Sequence, residues 1–139
     1  MLRFLALLFP LFQTAPVATG DLHVIVKNIE GKGNVIVYLY DVSRADTFPE
    51  KPLRTRVVPV SAADVEVIFK DLPYGRYAVT VADDANGNGK LDFYFFGPPK
   101  ERVLASRYAK GHFGPPKFDD AAFKLETKKF LLIMDFRLK

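Results

Sequence analysis

The sequence predicts an all-β protein: an antiparallel two-sheet sandwich of prealbumin-like or immunoglobulin-like type, with about seven strands and one long functional loop. Three observations carry that reading. Apolar residues recur at every second position in stretch after stretch, turns rich in Gly and Pro separate the stretches, and no segment sustains a helical apolar period. The 139 residues suffice for one ordinary domain. With 49% hydrophobic and 26% charged residues, and with thirteen Phe, the composition is that of a globular chain rather than a disordered one.

The first stretch is of a different kind. Residues 1–20, "MLRFLALLFPLFQTAPVATG", open with Arg3, run apolar from Phe4 to Phe12, and end with Ala18 and Gly20 at the positions a signal peptidase reads. The run is too short to span about 30 Å of hydrocarbon, and Pro10 interrupts it. The expectation is a signal peptide over 1–20, cleaved before Asp21, and a single β-sandwich domain over 21–139. That implies a periplasmic or secreted protein with no stable membrane span after signal removal. An exported chain without cysteine has no disulfide framework, so its own core must hold it, helped by any bound ion. The formal charge of +4 is mild and contains no block of basic residues, which argues against a nucleic-acid partner.

The strands follow in order. "DLHVIVKNI" sets Leu22, Val24 and Val26 on one face and His23 and Lys27 on the other. "EGKG" at 30–33 is short enough for a hairpin into "GNVIVYLYD", whose Val35, Val37 and Leu39 alternate with Ile36, Tyr38 and Tyr40. "TRVVPV" is a weaker strand that Pro59 confines to an edge. "ADVEVIFKDL" alternates Val65, Val67 and Phe69 with charged residues, and Pro73 and Gly75 then set a turn into "GRYAVTVAD". "AAFKLET" and "KFLLIMDFRLK" close the chain, the latter with Leu132, Met134, Phe136 and Leu138 on one side.

Between Asp83 and Asp119 this rhythm breaks. A stretch of that length without sustained alternation is usually functional or disordered, and its many aromatics argue against disorder. The sandwich reads as scaffold and this excursion as the working part. Within it "FGPPK" occurs at 96–100 and again at 113–117, two Gly-Pro turns each expected to be pinned by a Phe.

The excursion opens with "DDANGNGKLD". Counting Asp84 as the first position puts Asn86 third, Asn88 fifth, Gly89 sixth, Lys90 seventh and Asp92 ninth, most of the calcium-loop pattern D-x-[DN]-x-[DN]-G. A loop curling around a hard cation turns alternate side-chain oxygens inward. Glycine permits the bend after the third ligand, and the seventh residue offers its carbonyl, so a lysine there is harmless. The candidate metal residues are therefore Asp84, Asn86, Asn88, Lys90 and Asp92, with Asp83, Gly89 and Glu101 as additional ligands or loop support. Asp119 and Asp120 are more distant acids that could join. Phe95 stands where a helical calcium hand has its bidentate Glu, and few local carboxylates imply a weak calcium site suited to high extracellular concentrations. The competing reading is a metal-free turn, because Asn and Asp bend backbones unaided.

Other chemistry finds little support. His23 and His112 are far apart with no thiol to assist a transition metal. Ser61 and Ser106 lack a nucleophile-elbow context, "GNGK" lacks the Ser or Thr of a phosphate loop, and Asp119-Asp120 read as solvated acids. Phe93 to Phe96 could stack on a sugar, but a cover for the end of the sandwich is the stronger reading.

A signal, then "FKDLPYGRYAVTVADDANGNGKLDFYFFGPPKE", then "FDDAAFKL", resembles the bacterial domain-of-unknown-function family 2141 over nearly all of the mature chain. The family pattern falls on Asp83, Asp84, Asn86, Asn88, Gly89, Asp92, Gly97, Pro99 and Glu101, while "RVLASRYAKG" departs from it. The "DLPYGRY" piece is also similar to turns in transthyretin-like sandwiches. The resemblance implies an exported single-domain sandwich and no particular activity. Together these readings favour a non-enzymatic binding or structural module whose partner is a protein or glycan of the cell envelope. The alternative is a hydrolase-type enzyme with Asp84, Asp92 and Glu101 around a metal or a sugar.

Overall fold

Strict alternation in "TGDLHVIVK" makes β1 (Thr19–Lys27), whose Gly20, Leu22, Val24 and Val26 are buried while the residues between them are not. The structure is a computed structural model, and it describes residues 7–90 and 101–138. Seven further strands follow: β2 (Asn34–Asp41), β3 (Arg54–Pro59), β4 (Val65–Pro73), β5 (Gly75–Asp84), β6 (Arg102–Ala105), β7 (Phe123–Leu125) and β8 (Lys129–Asp135). They form two sheets, one ordered β4-β1-β8 and one ordered β3-β2-β5-β6, with β7 pairing the start of β5. The protein is an all-β sandwich. Its core lies between the sheets, with Leu22, Val24, Val26, Val67 and Phe69 meeting Val35, Val37, Leu39, Val79 and Val81.

Two local expectations are corrected. The turn at 30–33 is not a hairpin, because β1 and β2 belong to different sheets and face each other across the core. Both strands carry full apolar faces, and opposing those faces buries more surface than laying the strands side by side. The sandwich is also not wholly antiparallel, since β8 runs parallel to β1 from Asp21↔Lys129 to Lys27↔Asp135. The expected edge position of β3 holds, for among the described residues it pairs only with β2.

β5 explains why the second sheet is the larger. Eight consecutive residues, Tyr77 to Asp84, are buried, so both faces of this strand are covered. The outer cover is a second cluster of Tyr40, Ala78, Ala105, Phe118, Ala121 and Ala122. It is built from the 3-10 turn Val42–Thr47 and the short helix α1 (Phe118–Ala121). Phe48 meets Tyr40 edge-on at 4.7 Å and Phe118 at 6.0 Å. Ser106, fully buried, donates to Ala121 O at 2.5 Å and accepts from Val79 N at 3.0 Å, which locks α1 onto the sheet. Much of the 83–119 excursion is thus scaffold. "RVLA" forms β6 although its four residues are too few to show a period, and Phe118 and Ser106 are core. Phe113 does not pin its turn, being fully exposed at 106% relative area. The first "FGPPK" lies outside the described residues.

The "DLPYGRY" turn carries the chain from β4 in one sheet to β5 in the other. Tyr77 Oη donates to Pro73 O at 2.5 Å, a tyrosine corner of the kind that fixes strand crossings in sandwiches. At this same end of β4, β1 contributes two residues that precede the expected cleavage point. Thr19 pairs with Pro73 and Gly20 with Leu72, and a Cβ on Gly20 would meet Thr127 O at 2.1 Å.

Candidate functional site

The Asp-Asn-Gly loop begins where β5 runs off the sheet. Asp84 is the last residue of β5 and lies directly opposite Asn34, the first residue of β2. Alternation from buried Tyr77, Val79 and Val81 turns Asp83 to the inter-sheet core and Asp84 to the opposite face. The two adjacent acids therefore enter different environments.

Asp84 is fully buried, yet among the described residues its carboxylate has only neutral hydrogen-bond partners. Oδ2 accepts from Gly89 N at 2.7 Å and from Asn34 Nδ2 at 3.3 Å. Oδ1 is buried with no hydrogen-bond partner among the described residues, and no basic side chain among them pairs with the group. The Gly89 bond spans the loop and curls residues 84–89 back on the strand end. Gly87 N reinforces it by donating to Asp84 O at 3.1 Å. Within the curl Asn86 Oδ1 accepts from Asn88 N at 3.1 Å, and Asn88 Oδ1 accepts from Lys90 N at 2.9 Å. These are Asx turns, in which each side chain bends the backbone that follows it.

Asp83 is also buried, but it is paired. Its Oδ2 binds Arg102 Nη2, the cross-strand residue on β6, and receives Glu30 N at 3.5 Å. Arg102 in turn lies 3.4 Å from Glu30 Oε1 and 4.6 Å above the Phe136 ring. This network closes one end of the core and faces away from the loop.

Of the residues the sequence singled out, the structure brings Asp84, Asn86, Asn88, Gly89 and Lys90 together in one curl and sets Asp83 on the other side of the sheet. Asp92 lies outside the described residues, as do Phe93 to Phe96. Glu101 stands one residue before β6, next to Arg102. Asp119 bonds Arg76 at 3.0 Å, and Arg76 precedes Asp83 by seven residues along β5, about 23 Å at the rise of a strand. Asp119 thus belongs to the far end of the molecule. Among the described residues no three acids or histidines converge as a metal-ligating group. His23 Nδ1 meets Glu66 Oε1 at 2.6 Å, and His112 is exposed.

Two residues of the site escaped the sequence reading. Asn34 holds the Asp84 carboxylate, and Gly33 lets the backbones touch: a Cβ there would sit 2.1 Å from Asp84 O, and its φ is +67°. The signal was present in "GKGN", a glycine before a polar strand start, but a turn explains those residues equally well.

The class defined by this geometry is a small β-sandwich carrying an Asx-turned acidic loop at one strand end. The family described as "Uncharacterized protein conserved in bacteria" (DUF2141) matches residues 24–131, and the chain belongs to that family. Neither the curated proteins nor the solved structures contain a match to this chain.

Proposed function

We propose that the protein is an exported binding or structural module, periplasmic or secreted, whose Asp84–Asp92 loop takes up a calcium ion weakly and without catalysing a reaction. The observation that carries this is the Asp84 carboxylate, fully buried and, among the described residues, facing only neutral donors with Oδ1 left over. A buried charge without a counter-charge is costly, and a hard cation is the partner that carboxylate and amide oxygens at this spacing would take. Asp84 and the side-chain oxygens of Asn86, Asn88 and Asp92 would hold the ion, with Lys90 lending its carbonyl. The bound ion would fix the loop as a surface for a protein or glycan of the envelope.

Export rests on residues 1–20, and no helix among the described residues is long and apolar enough to cross a membrane. Thermal unfolding of the purified chain, in millimolar calcium and in chelator, tests the proposal. A midpoint that rises with calcium and not with equal magnesium supports it; identical midpoints remove the ion from the account.

A further inference from the structure

The sandwich is open along the side between β3 and β4. Among the described residues both are sheet edges, β3 pairing only with β2 and β4 only with β1. The groove between them has a volume of about 750 Å³ and an apolar wall that includes Val58, Val67 and Phe69. Its charges are unusual for their positions. The register sets Arg54, Arg56 and Val58 opposite Leu39, Val37 and Val35, so both arginines stand on the core-facing side of the sheet, where the neighbouring strand is apolar.

Both arginines are exposed, and so is Lys70 on the facing strand. None of the three has an ion-pair partner among the described residues. Among the described residues the one carboxylate lining the groove, Glu66, is already held by His23 at 2.6 Å. Among the described residues, the groove is therefore a row of uncompensated cations beside a free backbone edge.

We propose that this groove docks an acidic peptide segment, which adds to β3 as a further strand. The spacing selects for it. Arg54 and Arg56 are two residues apart on a strand, about 6.7 Å, and alternate side chains of any paired strand share that repeat. A segment laid antiparallel on β3 brings its alternate side chains opposite Val58, Arg56 and Arg54 in turn, and directly opposed pairs are the ones that interact. The sequence recognised is thus apolar-x-acid-x-acid. Main-chain bonds to the edge supply affinity, and the alternate side chains supply specificity.

The same charges disfavour a second copy of this chain, since two β3 strands paired antiparallel about Thr55 or Arg56 set arginine against arginine. The surface is also separate from the acidic loop. Arg54 pairs with Leu39 and Asp84 with Asn34, five residues apart along β2 or about 17 Å, so docking does not depend on calcium.

Fluorescence polarisation with a labelled ten-residue peptide built on Val-Thr-Glu-Thr-Glu tests this, using the full chain at low salt. Saturable micromolar binding is expected, and it weakens as salt rises. Arg54→Glu with Arg56→Glu should weaken it about tenfold or more, as should Gln for Glu in the peptide. N-methylation of alternate peptide residues, in either register, should remove it in one register by blocking the edge bonds. Circular dichroism checks that the double variant folds, and Arg54→Gln with Arg56→Gln replaces it if it does not. The proposal is overturned if both N-methylated peptides bind unchanged, or if no binding saturates up to about 1 mM. It is equally overturned if polygalacturonate binds as tightly with the same arginine dependence, which makes the groove a charge sink for glycans.

Discussion

Asp83 and Asp84 are consecutive in the chain, yet their carboxylates open onto opposite faces of one sheet and, among the described residues, only the first has a cation beside it. That asymmetry makes opposite predictions for two chemically similar substitutions.

At Asp84 the isosteric change removes charge without removing the acceptor that Gly89 N and Asn34 Nδ2 use. In chelator, Asp84→Asn should melt at or above the parent temperature, because an uncompensated buried charge is relieved. In calcium the order should reverse. At a concentration tenfold above a millimolar Kd the parent gains about 1.4 kcal/mol, near 5 °C in Tm, and the variant gains nothing. Paired melting curves check the crossing. Parallel shifts in both proteins would show that Asp84 does not hold the ion.

At Asp83 the charge is already compensated, so the damage comes from removing its partner. Arg102→Met strands a buried carboxylate, and the expected loss is about 2 to 3 kcal/mol, reduced from the fully buried case because Arg102 is 31% exposed. Adding Asp83→Asn should restore much of it. Urea unfolding of the two single variants and the double variant measures the coupling. Additive losses would mean that the pair contributes nothing specific.

The features of the fold that were legible in the sequence are those that repeat. Period-two alternation located β1, β2, β4, β5 and β8, and Pro59 put β3 at an edge, where it lies. Sheet membership was not legible. "EGKG" suits a tight hairpin and a crossing between sheets equally, and only the assembly of the two sheets around a shared core distinguishes them. β6 was missed because four residues cannot show a period, and its pairing with β5 is set from a distance. The Asx turns of the loop follow from local spacing and were readable. The separation of Asp83 from Asp84 depends on where β5 ends, and the contribution of Asn34 depends on a partner fifty residues away.

The start of β1 makes a prediction about the mature end. Ala18 O accepts from Tyr74 N at 3.0 Å, Thr19 pairs with Pro73, and Gly20 packs under Thr127 O. Cleavage before Asp21 discards all three contacts. A chain beginning at Asp21 should be less stable than one beginning at Ala18, by about 1 to 2 kcal/mol for the lost edge bonds. Chemical denaturation compares the two. Equal stability would show that the first two residues of the strand carry no weight in the fold.

The second cluster predicts an alkaline weakness. Tyr40 is buried, donates to Pro49 O at 2.8 Å and contacts Thr80 Oγ1 at 3.2 Å. Burial pushes its hydroxyl up to about 12, against a partial lowering by the Thr80 hydrogen bond. Since the folded value exceeds the unfolded one of about 10, the protonated form is favoured by folding. Stability is fully present below pH 10. It should fall from pH 10 to about 12, as the unfolded chain ionises first, and then level off. The loss is on the order of 2 to 3 kcal/mol. Tyr40→Phe should be less stable at neutral pH, by about 1 kcal/mol for the lost hydrogen bond, and should show a shallower decline above pH 10. Unfolding midpoints at pH 8, 10 and 11.5 measure both slopes. If the variant declines as steeply as the parent, the alkaline loss belongs to another group, and Tyr77, also raised by burial, is the next to replace.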